Sequence, residues 1–306
     1  MATQVARDWE AAFSNWKGKA SDSEQDRYER TCRAIGDALR ASERLGKYEF
    51  TVYAKGSYPN FTNVVRDSDV DIAVELTTYR TNRFIHAAEG LTIQDLGLTP
   101  YTGDATLAGF KDDVEHALIA YFGAAAVDRG SKAIRVAENT GRLPADVVPC
   151  VTERTWTSRT GHNDGIRLLN DRNPTERIVN YPKQHLEQGT RKNDATSRRY
   201  KRVVRILKRL ENEMVEKGII EVVPSFLIES SVWNVPNSGF DASSWKGRVR
   251  AALAHIYNET RTPDCVTSDD WLEANAIKYL FYTGQNWNYT DAHEFASKAW
   301  DYIGFD

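Results

Sequence analysis

The chain has 306 residues with 40 Lys and Arg against 43 Asp and Glu; this net charge of −3 disfavours a long RNA or DNA substrate, whose polyanionic backbone is usually gripped by a basic excess. Hydrophobic residues make up 41%, enough to bury a sizeable core in two lobes. Cys32, Cys150 and Cys265 are scattered without metal-ligand spacing, there is no signal-peptide pattern, and no apolar run approaches the roughly 20 residues of a membrane span, so a disulfide framework, a zinc ribbon, a membrane anchor and the usual export route are not expected and a reducing cytoplasm is.

Ser21 and Glu24 form a capping-box pattern, and Tyr28, Cys32, Ile35 and Leu39 follow at helical spacing, which predicts a long N-terminal helix packed across the body. The alternating run Phe50-Thr51-Val52-Tyr53-Ala54 predicts a strand entering a tight turn at Gly56-Ser57. In the next strand Val70, Ile72, Val74 and Leu76 alternate with Asp69, Asp71, Ala73 and Glu75, so a period of two places both aspartates on one face. Two carboxylates that close repel each other unless a cation sits between them. A glycine turn with a free hydroxyl ahead of paired aspartates suits phosphoryl transfer, offering backbone N–H groups to a triphosphate and hard oxygens to Mg2+. A calcium loop fits less well, because an apolar strand stands where further oxygen ligands, a glycine and a terminal glutamate are needed.

Residues 77–106 read as loop, ahead of an amphipathic helix carrying Phe110, Val114, Leu118 and Tyr121. Strands are expected around 133–136 and 143–151. Asp146 is the one charge in the second of these runs; it faces a metal or needs an Arg or Lys partner, and with Asp69 and Asp71 assigned to metal the first reading is preferred. Residues 152–193 turn polar and carry Gly161, Gly165, Pro174, Pro182 and Gly189, which predicts loops bordering a cleft. The rest reads as helical. Val203, Leu207, Leu210 and Met214 make a buried stripe, while Lys201, Arg205 and Lys208 fall at i, i+4 and i+7 on another face, where they suit the far end of a triphosphate. Pro224-Ser225 opens the next helix and offers a hydroxyl and free amides to a γ-phosphate.

The order of strand, Gly56-Ser57, Asp69-Val70-Asp71 and a third carboxylate, Asp146, on a neighbouring strand resembles the signature of the DNA polymerase β-like nucleotidyltransferases. Gly56-Ser57-Tyr58, Asp67-Ser68-Asp69-Val70-Asp71, Leu143-Pro144-Ala145-Asp146-Val147-Val148, Asn180-Tyr181-Pro182-Lys183, Arg205-Ile206-Leu207-Lys208 and Pro224-Ser225 with Glu229 and Asn234-Val235-Pro236 resemble, more narrowly, the clade E (CdnE) group of bacterial cGAS/DncV-like nucleotidyltransferases (CD-NTases). The resemblance implies an α+β fold of the DNA polymerase β type, with a mixed-sheet catalytic lobe, a long N-terminal spine helix and a helical C-terminal lobe, divided as 1–193 and 194–306. It implies a cyclic dinucleotide synthase of antiphage (CBASS) signalling, whose product a separate effector reads, with no membrane or long nucleic acid as partner. Asp69 and Asp71 would then ligate two Mg2+ ions, or Mn2+ in their place, and Asp146 the catalytic ion alone. Gly56, Ser57, Arg205, Lys208 and Ser225 would hold the phosphates.

The same resemblance places Asn180 in the donor base pocket, where asparagine accompanies a pyrimidine preference. An amide carries both a donor and an acceptor, so one orientation meets N3–H and O4 of uracil and the flipped one meets N3 and N4–H2 of cytosine. Arg154-Thr155-Trp156 resembles the Arg/Gln-x-Trp motif of members that make cyclic dipyrimidines, with Trp156 stacking on a base or narrowing the acceptor pocket and Arg154 bonding an O2 or O4 edge. The expected substrates are UTP and CTP and the expected product cyclic di-UMP or CMP-UMP. Cyclic UMP-AMP synthesis is the runner-up, ahead of another polymerase β-like nucleotidyltransferase and of an inactive nucleotide-binding scaffold.

Overall fold

A computed structural model describes residues 7–64, 69–262 and 271–306. Cys265 and the Asp67-Ser68 pair of the aspartate motif lie outside the described residues. In chain order the elements are α1 (Trp9–Trp16), α2 (Asp22–Arg40), β1 (Phe50–Ala54), α3 (Ser57–Asn60), β2 (Val70–Phe84), α4 (Leu107–Phe122), β3 (Val127–Arg129), β4 (Ile134–Val136), β5 (Ala145–Trp156), β6 (His162–Leu168), β7 (Ile178–Asn180), α5 (Pro182–Ala195), α6 (Tyr200–Glu216), α7 (Ser225–Asn234), α8 (Trp245–Glu259) and α9 (Tyr289–Ile303). The described residues divide into two compact units, a sheet unit of 21–59 and 69–183 and a helical unit of 7–20, 60–64, 184–262 and 271–306. Among them no helix is long and apolar enough to cross a membrane.

The sheet unit is built on one parallel pair. β2 runs parallel to β5 in a sheet of order β1-β2-β5-β4-β3, and β6 and β7 extend it from the far half of β5. Alternation does the sorting. Val70, Ile72, Val74 and Leu76 of β2, with Ala145 and Val147 of β5, bury against Ile35 and Leu39 of α2 and Phe110, Val114 and Leu118 of α4. Each of these large side chains contributes about 1.5–3 kcal/mol by leaving water. The opposite face then has to carry the odd-numbered residues of β2 and the even-numbered residues of β5, Asp71 beside Asp146 among them. Ser21 caps α2 by accepting from the Glu24 N–H, as the capping pattern predicts.

Two expectations for loops are corrected. β2 does not stop at Leu76: it passes a register shift between Leu76 and Arg80 and runs on to Phe84. Most of 152–193 is likewise regular, since β5 continues to Trp156 and is followed by β6, β7 and α5. These ends are polar because they are tied across strands by charged side chains rather than by an apolar layer, as between Arg154 and Asp164. A bulge also breaks the period of two from which a strand is read.

In the helical unit the expected apolar stripe of α6 is fully buried, packed with Trp9 and Phe13 of α1, Leu227 and Val232 of α7, Val249 of α8 and Phe295 of α9.

Candidate active site

The candidate catalytic face begins where β1 ends. Gly56 adopts φ +75°, and a Cβ there would lie 2.5 Å from Asp71 Oδ2, so both backbone and space demand glycine. The turn sets Ser57 at the head of α3, directly after the strand that pairs with β2. Asp71 stands opposite Asp146 in the parallel register, and Asp69 immediately precedes β2. Burial pushes the Asp146 carboxyl above the usual range, and repulsion from Asp71 and Asp69 adds to the shift.

Sequence reasoning missed the group that answers part of this repulsion. Lys55 Nζ donates to Asp71 Oδ1 at 2.9 Å, placing an ammonium on the carboxylate pair. Among the described residues no group of three or more Asp, Glu, His or Cys side chains is placed to hold a metal ion. The donor set nevertheless fits a hard divalent cation, because oxygen ligands of like charge share one sheet end and already attract a cationic side chain.

Farther along the same face lies a second carboxylate. Glu75 is only 2% exposed and accepts from Tyr53 Oη at 2.9 Å, Thr152 Oγ1 at 2.7 Å and Lys183 Nζ at 3.0 Å. It joins β1, β2, β5 and the start of α5. The signal for it was a second acidic residue, after Asp71, inside the otherwise apolar run of residues 70–76.

Asn180 ends β7 opposite Ile166, which in turn faces Thr152, so register puts it on the face of Asp146. Its side-chain amide makes no hydrogen bond among the described residues. Gly165 lets β7 come this close, since a Cβ there would meet the Asn180 carbonyl at 2.7 Å. Arg154 is clamped by Asp164, with Nε and Nη2 each donating at 2.6 Å. Trp156 is 7% exposed and donates its indole N–H to Asn82 Oδ1 at 3.0 Å, which makes it a packed wall. Beyond the shift in β2 opens a cavity of about 640 Å3, lined by Arg80, Asn82, Tyr101, Thr152, Arg154 and Asp164.

The remaining expected residues belong to the helical unit, and they are not a solvated stripe. Lys201, Arg205 and Lys208 are 8%, 4% and 2% exposed. Arg205 donates to the carbonyls of Lys17 and Phe61. Lys208 Nζ donates to Glu229 Oε2 at 3.1 Å, and the same carboxylate meets Thr62 Oγ1 at 2.7 Å and His185 Nε2 at 2.8 Å. Burial alone would raise the Glu229 carboxyl, but Lys208, His185 and Thr62 outweigh it and hold that group far below the usual range. Ser225 is half-buried at the first position of α7.

Comparison with known proteins gives this geometry a family. Residues 187–304 match the cGAS/DncV-like nucleotidyltransferase C-terminal helical domain. The cyclic dipyrimidine nucleotide synthase CdnE of Legionella pneumophila is 37% identical, over 97% of this chain and 98% of that protein. A cyclic dipurine nucleotide synthase of Elizabethkingia meningoseptica is 33% identical, over 97% and 98%. The solved structure of the Rhodothermus marinus CdnE c-UMP-AMP synthase with Apcpp and Upnpp superposes with a TM-score of 0.81 at 28% identity, covering 97% of each chain. On these likenesses the chain belongs to the CD-NTases, as a nucleotidyltransferase of the CdnE type that makes cyclic dinucleotides from nucleoside triphosphates.

Proposed function

We propose that this CD-NTase joins two pyrimidine nucleoside triphosphates, UTP by preference and CTP next, into a cyclic dipyrimidine. The observation that carries this reading is Asn180, whose amide stands on the catalytic face with its donor and its acceptor both uncommitted among the described residues. The Legionella relative, named for a cyclic dipyrimidine product, supports it. Cyclic UMP-AMP synthesis is the second reading, favoured by the likeness to the Rhodothermus structure.

Asp69, Asp71 and Asp146 would hold Mg2+, or Mn2+ in its place. Bound there, the metal supplies Lewis-acid activation of the acceptor hydroxyl and neutralises the pyrophosphate that leaves. In each transfer a ribose hydroxyl oxygen bonds to the α-phosphorus of the donor, the bond to pyrophosphate breaks, and Asp146 takes the hydroxyl proton. Its raised proton affinity suits that role. Gly56 and Ser57 bind phosphate oxygens through backbone N–H groups and the hydroxyl. Ser225 meets the far end of the triphosphate, while Lys208, paired with Glu229, and Arg205, through the carbonyls it holds, secure α6. Asn180 reads the donor base. Arg154, fixed by Asp164, keeps Nη1 for a carbonyl edge of the acceptor base, and Trp156 limits that pocket from behind. A second transfer closes the ring, and a separate effector of an antiphage system reads the product.

The test is Asn180→Ser, assayed for product ratio from an equimolar mixture of the four triphosphates. Losing a paired amide costs on the order of 1–3 kcal/mol, so UTP preference should fall roughly ten- to hundredfold as purines enter. An unchanged ratio removes Asn180 from base selection.

A further inference from the structure

The three buried cations of α6 are not equivalent. Arg205 is held by two backbone carbonyls and Lys208 by Glu229. Lys201, only 8% exposed, uses its backbone N–H on Asn193 Oδ1, but its ammonium has no hydrogen-bond, ion-pair or aromatic partner among the described residues. The charges that reach it are mixed: Glu229 and Asp194 favour its protonated form, while Arg205 and Lys19 oppose it. Glu229 is already matched by Lys208, His185 and Thr62, and Asp194 is exposed, where water screens it. Burial, the largest influence, therefore leaves the Lys201 amine less basic than an ordinary lysine.

Its residual exposure lies at the ammonium, so the stem is buried while the charge faces outward, where a ligand of opposite charge can complete it. A structural lysine in this unit looks different: Lys192 donates to the Val235 carbonyl at 2.6 Å and lies over the Phe240 ring. The stem of Lys201 is also closely packed by α5. Gly189 stands in the middle of α5, where glycine weakens a helix, and a Cβ there would come 3.1 Å from Asn60 Oδ1 and 3.9 Å from Lys201 Cε.

We infer that Lys201 is the open cation of an anion subsite in the helical unit, which takes a terminal phosphate group of the triphosphate substrate or of the pyrophosphate product. This rests on reading α6 as the phosphate-holding helix. Of the three cations that spacing set on one face of α6, it gives to Lys201 the assisting part that the family resemblance gave to Arg205.

The test compares Lys201→Met and Lys192→Met in the full chain, with calorimetric titration of inorganic tripolyphosphate, pyrophosphate and a non-hydrolysable UTP analogue at fixed Mg2+. Lys201→Met should raise the unfolding midpoint of the free protein, because an uncompensated charge is gone, yet weaken tripolyphosphate binding by about tenfold or more. Lys192→Met should lower the midpoint and leave binding unchanged. Weaker binding of tripolyphosphate and the analogue with pyrophosphate unaffected assigns the subsite to the substrate's γ-phosphate, and weaker binding of pyrophosphate assigns it to the product. Unchanged binding of all three probes overturns the proposal. Lys201→Gln gives the same decision if the methionine variant does not fold. Tripolyphosphate carries no base, so the outcome is independent of base choice at Asn180.

Discussion

The sheet unit and the helical unit treat buried charge in opposite ways. At the head of β2 and β5 the sheet unit gathers Asp69, Asp71 and Asp146, with Lys55 on Asp71 as the partial answer, and Asp146 is left hard to ionise. In the helical unit the excess is positive, with Lys201, Arg205 and Lys208 along α6 and Glu229 answering Lys208 alone. Elsewhere the same two units close several charges with multiple partners. Glu75 has three donors, Glu229 has three, and Arg154 has a bidentate carboxylate. Closed networks fix positions. On our proposals the open ones mark where a ligand would bring the missing charge, a cation at the aspartates and a phosphate at α6.

The contrast breaks most visibly at the aspartates. Asp71→Asn and Asp146→Asn should each cut product formation at least about a thousandfold, because each removes a charge proposed to bind the metal. Asp146→Asn should also raise the unfolding midpoint at neutral pH. The folded protein raises the proton affinity of Asp146, so its ionised form weakens the fold, and the gain should vanish in acid where the carboxyl is protonated in both states. Near-wild-type turnover in either variant would sink the metal assignment.

Next in size is the closed network. Lys208→Ala leaves Glu229 buried without its cation, which should cost about 3–5 kcal/mol in chemical unfolding, and Glu229→Gln in the same chain should recover part of the loss. On the proposed phosphate role of α6, which Lys208 holds in place, binding of UTP, CTP and ATP should weaken alike. A base-dependent loss would mean that α6 has been given the wrong role. The smallest effect is the pH dependence of the pair. Because the folded state depresses the Glu229 carboxyl, its stabilisation is full above the ordinary glutamate value and is lost as pH falls through the depressed one. The stability difference between wild type and Glu229→Gln should therefore shrink on acidification, and a constant difference speaks against an ionised Glu229.

The carboxylates and the glycine turn were legible in sequence because their chemistry is local. A period of two sets Asp69 and Asp71 on one face, and Gly56 announces its own turn. The polar ends of β2 and β5 were not, since a bulge and cross-strand ion pairs hide the alternation there. Partners far apart in the chain were invisible as well. Thr62 and Glu229 are separated by 167 positions, and Glu75 and Lys183 by 108. The basic stripe of α6 was found, but sequence spacing could not rank its members, because only the packed structure shows which cation is already answered.

The most direct test of the whole account is to supply the purified protein with Mg2+ and one labelled triphosphate at a time, in the presence of the other three unlabelled, and to identify the cyclic products by chromatography and mass. The account predicts that label from UTP, and to a lesser degree CTP, enters a cyclic dipyrimidine with release of pyrophosphate. Incorporation of ATP or GTP as readily as UTP would contradict the reading of the base pocket, and the absence of any cyclic product would contradict the reading of the open charges as a nucleotide site.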